Sequence, residues 1–233
     1  MISSVADDLC MLDEIALFND LTSDQLSNLK NLLHQKTFPA GAIIMAVEQM
    51  GEVVYVIASG TVKVHVEQED GTDVIISILG KGDIVGEMSL LDDAGRCASV
   101  VTLEETHLFW MDRMVFNNCL REMPVLTYNL ACILSNRLRT ANEHIQALAA
   151  CEVESRVARQ ILSFASVYGQ STPEGATLIP IRLTQSDIAG LVGASRERTN
   201  KVIVSYKERK YISVDQNYHI TIHNRNALVR RCL

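Results

Sequence analysis

The residues best suited to specific chemistry lie in one short C-terminal segment, residues 183–203. Thr184 and Ser195 each precede a run with helical spacing, where a side-chain oxygen can accept hydrogen bonds from free backbone N–H groups. Gly193 suits the left-handed residue of a tight turn between two helices. This pattern predicts a helix-turn-helix whose second helix begins after Ser195.

The second predicted helix leaves four polar side chains exposed in its first turns: Arg196, Glu197, Asn200 and Lys201. Those turns of a helix-turn-helix enter the major groove of double-stranded DNA. Arginine can donate two hydrogen bonds to guanine, glutamate can accept from cytosine, and lysine can reach guanine or a phosphate. We therefore expect these four residues to bind DNA, together with Thr184 and Ser195 at the starts of the two helices. An ordinary solvated helix face is the alternative.

Residues 211–214 and 219–222 read as a hairpin behind the second helix, which would place Lys207, Arg209 or Lys210 near the phosphate backbone. The charge distribution agrees with this assignment. The chain carries a net charge of −7, but residues 1–149 carry −12 and residues 150–233 carry +5. The basic segment is where phosphate contacts are expected.

Upstream, the elements that must position this segment are of two kinds. Short β-rich runs separated by glycine turns predict a jelly roll or barrel; they are residues 42–45, 53–58, 61–66, 74–79, 98–102 and 107–111. After Pro124 a long helix is predicted, with no internal Gly or Pro until well past Cys151, and residues 152–166 are predicted to form another amphipathic helix. Apolar residues along it are spaced 3, 4, 3, 4 and 3 apart, as in a coiled coil: Ala131, Leu134, Leu138, Ala141, Ile145 and Leu148. This seam predicts a homodimer through residues 125–149, and a helix lying on its own β-domain is the alternative.

Several function classes are disfavoured. The six cysteines lack the spacing of a zinc site, so we expect no metal. No activated nucleophile or Walker loop is present, so we expect no catalytic residues and no enzyme, with a nucleotide-hydrolysing enzyme as a remote alternative. No apolar stretch approaches the roughly 18 residues of a membrane span, and the first residues are acidic where a secretory signal is basic. We expect a cytoplasmic protein with no membrane partner.

The order of β-roll, long helix and winged helix-turn-helix resembles the Crp/Fnr family of bacterial transcription regulators over residues 15–225. The resemblance rests on the run Gly80-x-Gly82-Asp83-x-x-Gly86-Glu87-Met88-Ser89-Leu90-Leu91, on Arg96-Cys97-Ala98, and on Ser195-Arg196-Glu197. It implies an α+β fold with three parts. These are a jelly-roll cyclic-nucleotide-binding domain with N-terminal helices over residues 1–111, a dimerisation helix over residues 112–150, and a winged helix-turn-helix over residues 151–233.

The resemblance also implies an effector pocket between residues 86 and 98. The expected ligand-binding residues are Gly86, Glu87, Met88, Ser89, Arg96, Cys97 and Ala98, with Thr140, Ala141 and Asn142 of the long helix near the base. Glu87 can accept from a ribose hydroxyl, and Arg96 offers paired donors to the two free oxygens of a cyclic phosphate. The alternative is that Glu87 and Arg96 merely pair with each other. Cys97 stands where the family usually has Ser or Thr, and a thiol is a weak donor.

Cyclic AMP is the effector that we expect first. Cyclic GMP, cyclic di-GMP, a haem that senses gas, and a degenerate pocket with constitutive DNA binding are the alternatives.

By position alone, the surface loop predicted at residues 168–175 matches the surface through which some family members touch RNA polymerase. Effector binding is expected to realign the dimer so that its two recognition helices fit a palindromic site.

Overall fold

The computed structural model describes residues 12, 15–47, 49–68, 73–92 and 94–232. These residues form two compact units. The first unit contains Met1–Val66 and Ile78–Thr140, and the second contains Glu67–Ser77 and Ala141–Leu233. Among the described residues, no helix is long and apolar enough to span a bilayer.

The first unit confirms the predicted β-roll. Its strands are β1 (His34–Phe38), β2 (Ile43–Met45), β3 (Val53–Ser59), β4 (Val62–Glu67), β5 (Asp73–Leu79), β6 (Ile84–Val85), β7 (Ser99–Thr102) and β8 (Thr106–Asp112). One sheet has the order β1-β8-β3-β6 and the other has the order β2-β7-β4-β5. Strands β3 and β8 pair antiparallel, as do β4 and β7. The outer part of the β4–β5 hairpin, Glu67–Ser77, belongs to the second unit.

Apolar side chains of the two sheets form the core of the roll. Ile57 of β3 and Val62 of β4 are fully buried, and Leu108 of β8 is almost fully buried. The sequence pattern does not predict β1 or β6. Only Phe38 of β1 is partly buried and β6 has two residues, so neither strand shows the alternation that marks a longer one.

The first unit also holds several helices: a 3-10 turn (Ala16–Phe18), α1 (Ser23–Leu32), α2 (Met88–Leu91), α3 (Arg113–Glu122) and the start of α4 (Pro124–Ala150). The segment at residues 112–150 is therefore two helices, which meet at Met123. Asp112 caps α3 by accepting from the Val115 amide at 2.8 Å. Phe116 of α3 and Leu126 of α4 join the same buried cluster as the N-terminal helices.

The long helix and the amphipathic helix predicted after it are separate helices in the structure. Helix α4 ends at Ala150, Glu152 has an extended backbone (φ −71°, ψ 162°), and α5 (Val153–Tyr168) starts a new axis. Neither glycine nor proline causes this break. Val157, Ile161 and Phe164 of α5 are buried within the second unit.

The second unit completes a winged helix-turn-helix with α6 (Gln185–Val192), α7 (Arg196–Glu208) and α8 (Arg225–Arg231). Its sheet has the order β11-β12-β10-β9, formed by β9 (Gln170–Ser171), β10 (Thr177–Ile179), β11 (Ile212–Val214) and β12 (Ile220–Ile222). The predicted wing hairpin is confirmed, since Ile212 pairs with Ile222 and Val214 with Ile220. The surface loop predicted at residues 168–175 is wrong in part. Gln170 and Ser171 pair with β10, because each strand satisfies the other's backbone groups.

Candidate functional site

The two helices of the helix-turn-helix begin and turn where the sequence predicts. Thr184 Oγ1 accepts from the Asp187 amide at 3.2 Å, while the Thr184 amide donates to Asp187 Oδ2 at 2.9 Å. Gly193 adopts φ 58° and ψ 47°, the left-handed conformation that ends α6 and turns the chain. Ser195 Oγ accepts from the Arg198 amide at 3.3 Å and starts α7. These local bonds set the crossing of α6 and α7.

Helix α7 is held by one face and presents the other. Thr199, Ile203 and Tyr206 are buried, and the Tyr206 hydroxyl donates to the Glu154 carbonyl at 2.9 Å. The residues predicted to contact DNA bases lie on the opposite side: Arg196, Glu197 and Lys201 are exposed, and Asn200 is half-buried. The Lys201 ammonium lies 2.9 Å from the Glu197 carboxylate, and both side chains are more than 70% exposed (74% and 79%). Such an exposed pair is weak, so both groups stay available to bases or phosphates.

The sequence analysis did not identify two further residues on or beside the exposed face of α7. Arg198 is exposed and lines a cleft of about 500 Å³ together with Arg156 and Lys201. Val204 is 41% exposed on the outer face of α7, one turn beyond Asn200 and Lys201. A methyl-bearing side chain at such a position can contact thymine. Val204 could have been identified from the sequence, because it lies four residues after Asn200 and so shares its helix face.

The effector pocket predicted in the first unit is built on a left-handed glycine. Gly86 follows β6 with φ +86°, and a Cβ atom there would lie 2.6 Å from Arg96 Nη1 and 3.0 Å from Met45 Sδ. No other residue type leaves room for the guanidinium at this point. Helix α2 then carries Ser89 inward and Met88 outward, since Ser89 is buried and Met88 is half-exposed.

Arg96 is the central cation of this pocket and is only 7% exposed. Its Nη1 donates to the Gly86 carbonyl at 2.6 Å and to Ser89 Oγ at 2.8 Å, and its Nη2 donates to the Val53 carbonyl at 2.6 Å. Burial lowers the pKa of Arg96, and the nearby Tyr55 and Glu87 oppose that shift. An arginine still remains charged at neutral pH, and its five N–H donors exceed these three bonds by two. Among the described residues, two of its five N–H donors have no hydrogen-bond acceptor, and these could serve a ligand's oxygens.

Glu87 pairs with a residue that the sequence did not point out. Its carboxylate is almost fully buried and lies 2.8 Å from Nη1 of Arg137. The other terminal nitrogen of Arg137, Nη2, donates to the Ile84 carbonyl at 2.5 Å. The alternative that Glu87 pairs with Arg96 is wrong. Arg137 precedes Thr140 and Ala141 by three and four residues on α4, so it shares their helix face. That spacing could have identified Arg137 from the sequence as a residue near the pocket.

A third arginine positions the backbone of the pocket. Arg113 Nε donates to the Gly51 carbonyl at 2.8 Å, and its Nη2 donates to the Ser89 carbonyl at 2.7 Å. Gly51 lies so close to Ser89 that a Cβ on it would be 2.2 Å from Ser89 Oγ. Arg113 therefore ties the start of β3 to α2. Arg96, Arg113 and Arg137 thus all bond to residues 84–89.

For the remaining predicted pocket residues, the structure gives burial and position along the chain. Ala98 is buried at the start of β7, whereas Cys97 is exposed. Thr140, Ala141 and Asn142 are exposed on α4. Thr140 ends the first unit, and Ala141 and Asn142 begin the main segment of the second. Their part in ligand binding stays a prediction.

Comparison with known protein families gives two matches that follow this architecture. Residues 35–123 match the cyclic nucleotide-binding domain. Residues 155–231 match the Crp-like helix-turn-helix domain. The first match contains the whole run from Gly86 to Ala98, and the second contains α6, α7 and the wing.

Relatives over nearly the full chain agree. The chain is 32% identical over 225 residues to a CRP-like cAMP-activated global transcriptional regulator of Mycobacterium tuberculosis, covering 94% of this chain and 99% of the relative. It is 31% identical over 193 residues to the cyclic AMP receptor protein of Thermus thermophilus, covering 82% and 85%. Its fold is similar to that of FixK2 from Bradyrhizobium japonicum, with a TM-score of 0.75, 17% identity, and coverage of 86% and 98%. These matches fit a regulator rather than an enzyme. The chain belongs to the Crp/Fnr family of DNA-binding transcription regulators, with a cyclic nucleotide-binding domain followed by a Crp-like helix-turn-helix.

Proposed function

We propose that this chain acts in the cytoplasm as a homodimer whose binding to a palindromic DNA site is controlled by cyclic AMP in the pocket at residues 86–98. The observation that carries the proposal is the buried Arg96, which has donors to spare beside the left-handed Gly86. Both curated relatives described above are named for cyclic AMP, which supports this nucleotide as the first choice.

The pocket chemistry suits a cyclic phosphate joined to a ribose. Arg96 supplies charge-assisted donors to the two free phosphate oxygens. Arg137 occupies one oxygen of Glu87, so the other oxygen can accept from the ribose 2′-hydroxyl. Thr140 and Asn142 offer hydrogen-bonding groups to a purine edge.

The first experiment is titration calorimetry with cyclic AMP, cyclic GMP and cyclic di-GMP. Arg96→Leu is expected to weaken cyclic AMP binding about 100-fold, because it removes two charge-assisted hydrogen bonds. Arg121→Leu is the matched control, since Arg121 is an exposed arginine of α3. Equal binding by the two variants would refute the assignment of Arg96. If none of the three nucleotides binds the unmodified protein, the proposed control by cyclic AMP is refuted, and a different effector or a degenerate pocket is left.

A second variant avoids disturbing the bonds that Arg96 makes to the protein. Cys97→Ser replaces an exposed weak thiol donor by a hydroxyl and is expected to tighten cyclic AMP binding severalfold. Cys132→Ser changes another exposed cysteine, on α4, and is expected to have no effect. Unchanged affinity of Cys97→Ser would argue against phosphate contact at residue 97.

The dimer is proposed to form along the apolar seam of α4. Leu138 and Ile145 are each 64% exposed, although both are large apolar side chains on a regular helix. A second copy of the same helix would bury them as in a coiled coil. Leu138→Glu is expected to give monomers in sedimentation velocity, whereas the neighbouring Arg139→Glu leaves dimers. Dimers of Leu138→Glu would place the interface elsewhere.

DNA recognition is proposed to divide between base contacts and phosphate contacts. Arg196→Ala should relax preference at one base pair of the half-site, with a loss of about 1–3 kcal/mol for the preferred guanine. Lys207→Ala should weaken binding to all sequences and reduce the salt slope by about 1. Selection from a random duplex pool and salt-dependent fluorescence anisotropy measure the two effects. Identical effects from both variants would contradict this division.

A further inference from the structure

Two cysteines of the second unit lie outside both the predicted effector pocket and the residues predicted to contact DNA. Cys151 follows the last residue of α4, and its amide donates to the Ala147 carbonyl at 2.9 Å. Cys232 follows the last residue of α8, and its amide donates to the Val229 carbonyl at 3.1 Å. Both are free thiols and half-buried. Each thiol is therefore fixed at the end of a helix.

Contacts between α5 and α8 bring these two helix ends together. Arg231, the residue before Cys232, has its Nη1 3.3 Å from Oε1 of Glu154, which lies three residues after Cys151. Further along α5, Arg159 Nη2 donates to the Cys232 carbonyl at 2.6 Å. Helices α5 and α8 also pack directly against each other. The end of α8 is thus held beside the first turns of α5, where Cys151 enters.

The environment of the Cys232 thiol agrees with this placement. Burial raises the pKa of Cys232, Arg159 opposes the rise, and the nearby thiol of Cys151 adds to it. The thiol donates to the Leu228 carbonyl at 3.5 Å, and a hydrogen bond from the neutral form disfavours ionisation. Cys232 is therefore the protonated member of a pair of neighbouring thiols.

Neighbouring thiols can bind a metal ion or form a disulfide. A structural zinc site takes four ligands from cysteine, histidine and carboxylate side chains. Among the described residues, no group of three or more such side chains could hold a metal ion. Two thiols without further ligands favour disulfide chemistry.

We propose that Cys151 and Cys232 are a site of oxidation by hydroperoxides, at which an intramolecular disulfide fastens the end of α8 to the junction of α4 and α5. This disulfide is called the staple below. The staple lies within the second unit and depends neither on the identity of the effector nor on the DNA site. In a reducing compartment such a disulfide is transient, so it forms while the oxidant is present.

Two steps form the staple from hydrogen peroxide. The Cys151 thiolate attacks one peroxide oxygen, the O–O bond breaks, and hydroxide leaves, which gives a sulfenic acid on Cys151. The Cys232 sulfur then attacks Sγ of Cys151, so that the S–S bond forms and the S–O bond breaks. The Cys232 proton and the proton first lost by Cys151 convert the two released hydroxides to water. Two thiols thus lose two electrons to one peroxide, which is reduced to two waters.

The staple encloses the whole helix-turn-helix. It closes a loop of about 80 residues, and closing a long loop stabilises a fold by restricting the unfolded chain. Helix α7 rests on the same corner, because the buried Tyr206 donates its hydroxyl to the Glu154 carbonyl at 2.9 Å. Oxidation is therefore expected to raise the Tm of the second unit on the order of 5–10 °C.

The first measurement uses the unmodified protein, reduced and then treated with a small excess of hydrogen peroxide. Trypsin releases Cys151 in residues 140–156 and Cys232 in residues 232–233, so mass spectrometry identifies the linked pair directly. This linked peptide is expected to exceed every other disulfide-linked peptide at least about tenfold, because proximity makes its formation intramolecular. On a non-reducing gel the oxidised chain should keep the mobility of a single chain. Absence of the linked peptide, pairing of either cysteine with another, or linkage between two chains would overturn the proposal.

Serine variants separate the roles of the two thiols. Cys232→Ser is expected to leave a sulfenic acid on Cys151 that dimedone traps, whereas Cys151→Ser should show no trapped sulfenic acid on Cys232. Cys132→Ser, at an exposed cysteine of α4, is the matched control and should form the staple normally. Differential scanning calorimetry should show the rise in Tm for oxidised unmodified protein and Cys132→Ser, its reversal by dithiothreitol, and no rise for Cys232→Ser. An equal rise in Cys232→Ser would refute the staple as its cause.

Discussion

Arg137 offers the most direct test of how the effector pocket is held together. The Glu87 side chain is 4% exposed and the Arg137 side chain is 31% exposed, with 2.8 Å between their charged atoms. Replacing Arg137 by methionine keeps most of the volume of its stem but leaves the buried carboxylate without its cation. The Ile84 carbonyl loses its 2.5 Å donor at the same time.

The expected loss follows from these two contacts. Breaking a fully buried ion pair destabilises a protein by about 3–5 kcal/mol, and breaking a surface pair costs about 0–1 kcal/mol. Because the Arg137 side chain is 31% exposed, we place the loss from the pair at about 2 kcal/mol, between the two limits. The hydrogen bond to Ile84 adds about 1 kcal/mol. A total of about 3 kcal/mol corresponds to a fall in Tm on the order of 6–12 °C.

Differential scanning calorimetry and urea unfolding measure this loss. Arg139→Met is the matched control, because Arg139 lies two residues away on the same helix and is exposed; its effect should stay within about 0.5 kcal/mol. Adding Glu87→Gln to Arg137→Met should recover part of the stability, since an amide leaves no buried charge unpaired. If Arg137→Met is no more destabilising than Arg139→Met, the pair does not support the pocket.

Two further predictions concern a glycine and a buried tyrosine. Gly86→Ala should weaken cyclic nucleotide binding about 100-fold or more in calorimetry, because its Cβ would lie 2.6 Å from Arg96 Nη1. Gly82 has a similar positive φ (+90°), but a Cβ added to it would have no atom within 4 Å. A similar loss of nucleotide binding in Gly82→Ala would therefore show that backbone strain, not the clash with Arg96, is responsible. Burial raises the pKa of Tyr206 above its ordinary value of 10.0. Its folded pKa thus exceeds the unfolded one, so its contribution to stability is complete below pH 10.0 and is lost as the pH rises beyond it. Tyr206→Phe should cost about 1–2 kcal/mol at neutral pH by leaving the Glu154 carbonyl without its donor. It should also flatten the alkaline fall in urea-unfolding free energy, and an unchanged fall would assign that titration to another group.

The helix-turn-helix could be predicted from the sequence because its determinants are local. Thr184 bonds to Asp187, and Ser195 bonds to Arg198, each three residues away along the chain. Gly193 carries its left-handed conformation as a property of its own residue type. The long strands of the roll and the wing hairpin were also predictable, since short runs rich in β-branched and aromatic residues, bounded by turn residues, mark them within a few positions.

The effector pocket was predictable only in part. Resemblance to the family pointed to Glu87 and Arg96, but the partners of these two residues are distant in the sequence. Arg137 is 50 residues from Glu87, and Val53 is 43 residues from Arg96. Hydrogen bonds between such distant groups leave no periodic signature in the chain.

The sequence by itself determined the caps, the turn, the strand runs and the apolar seam of α4, because each depends on residues within one or two turns of one another. Tertiary structure alone decided the Glu87–Arg137 pair and the contact between Ile75 of β5 and Gly190 of α6. These features arise when separate elements compete for the same buried space or satisfy each other's polar groups. Gly190 illustrates the difference: in the sequence it is a poor helix former, and in the fold it is the space that a distant isoleucine fills.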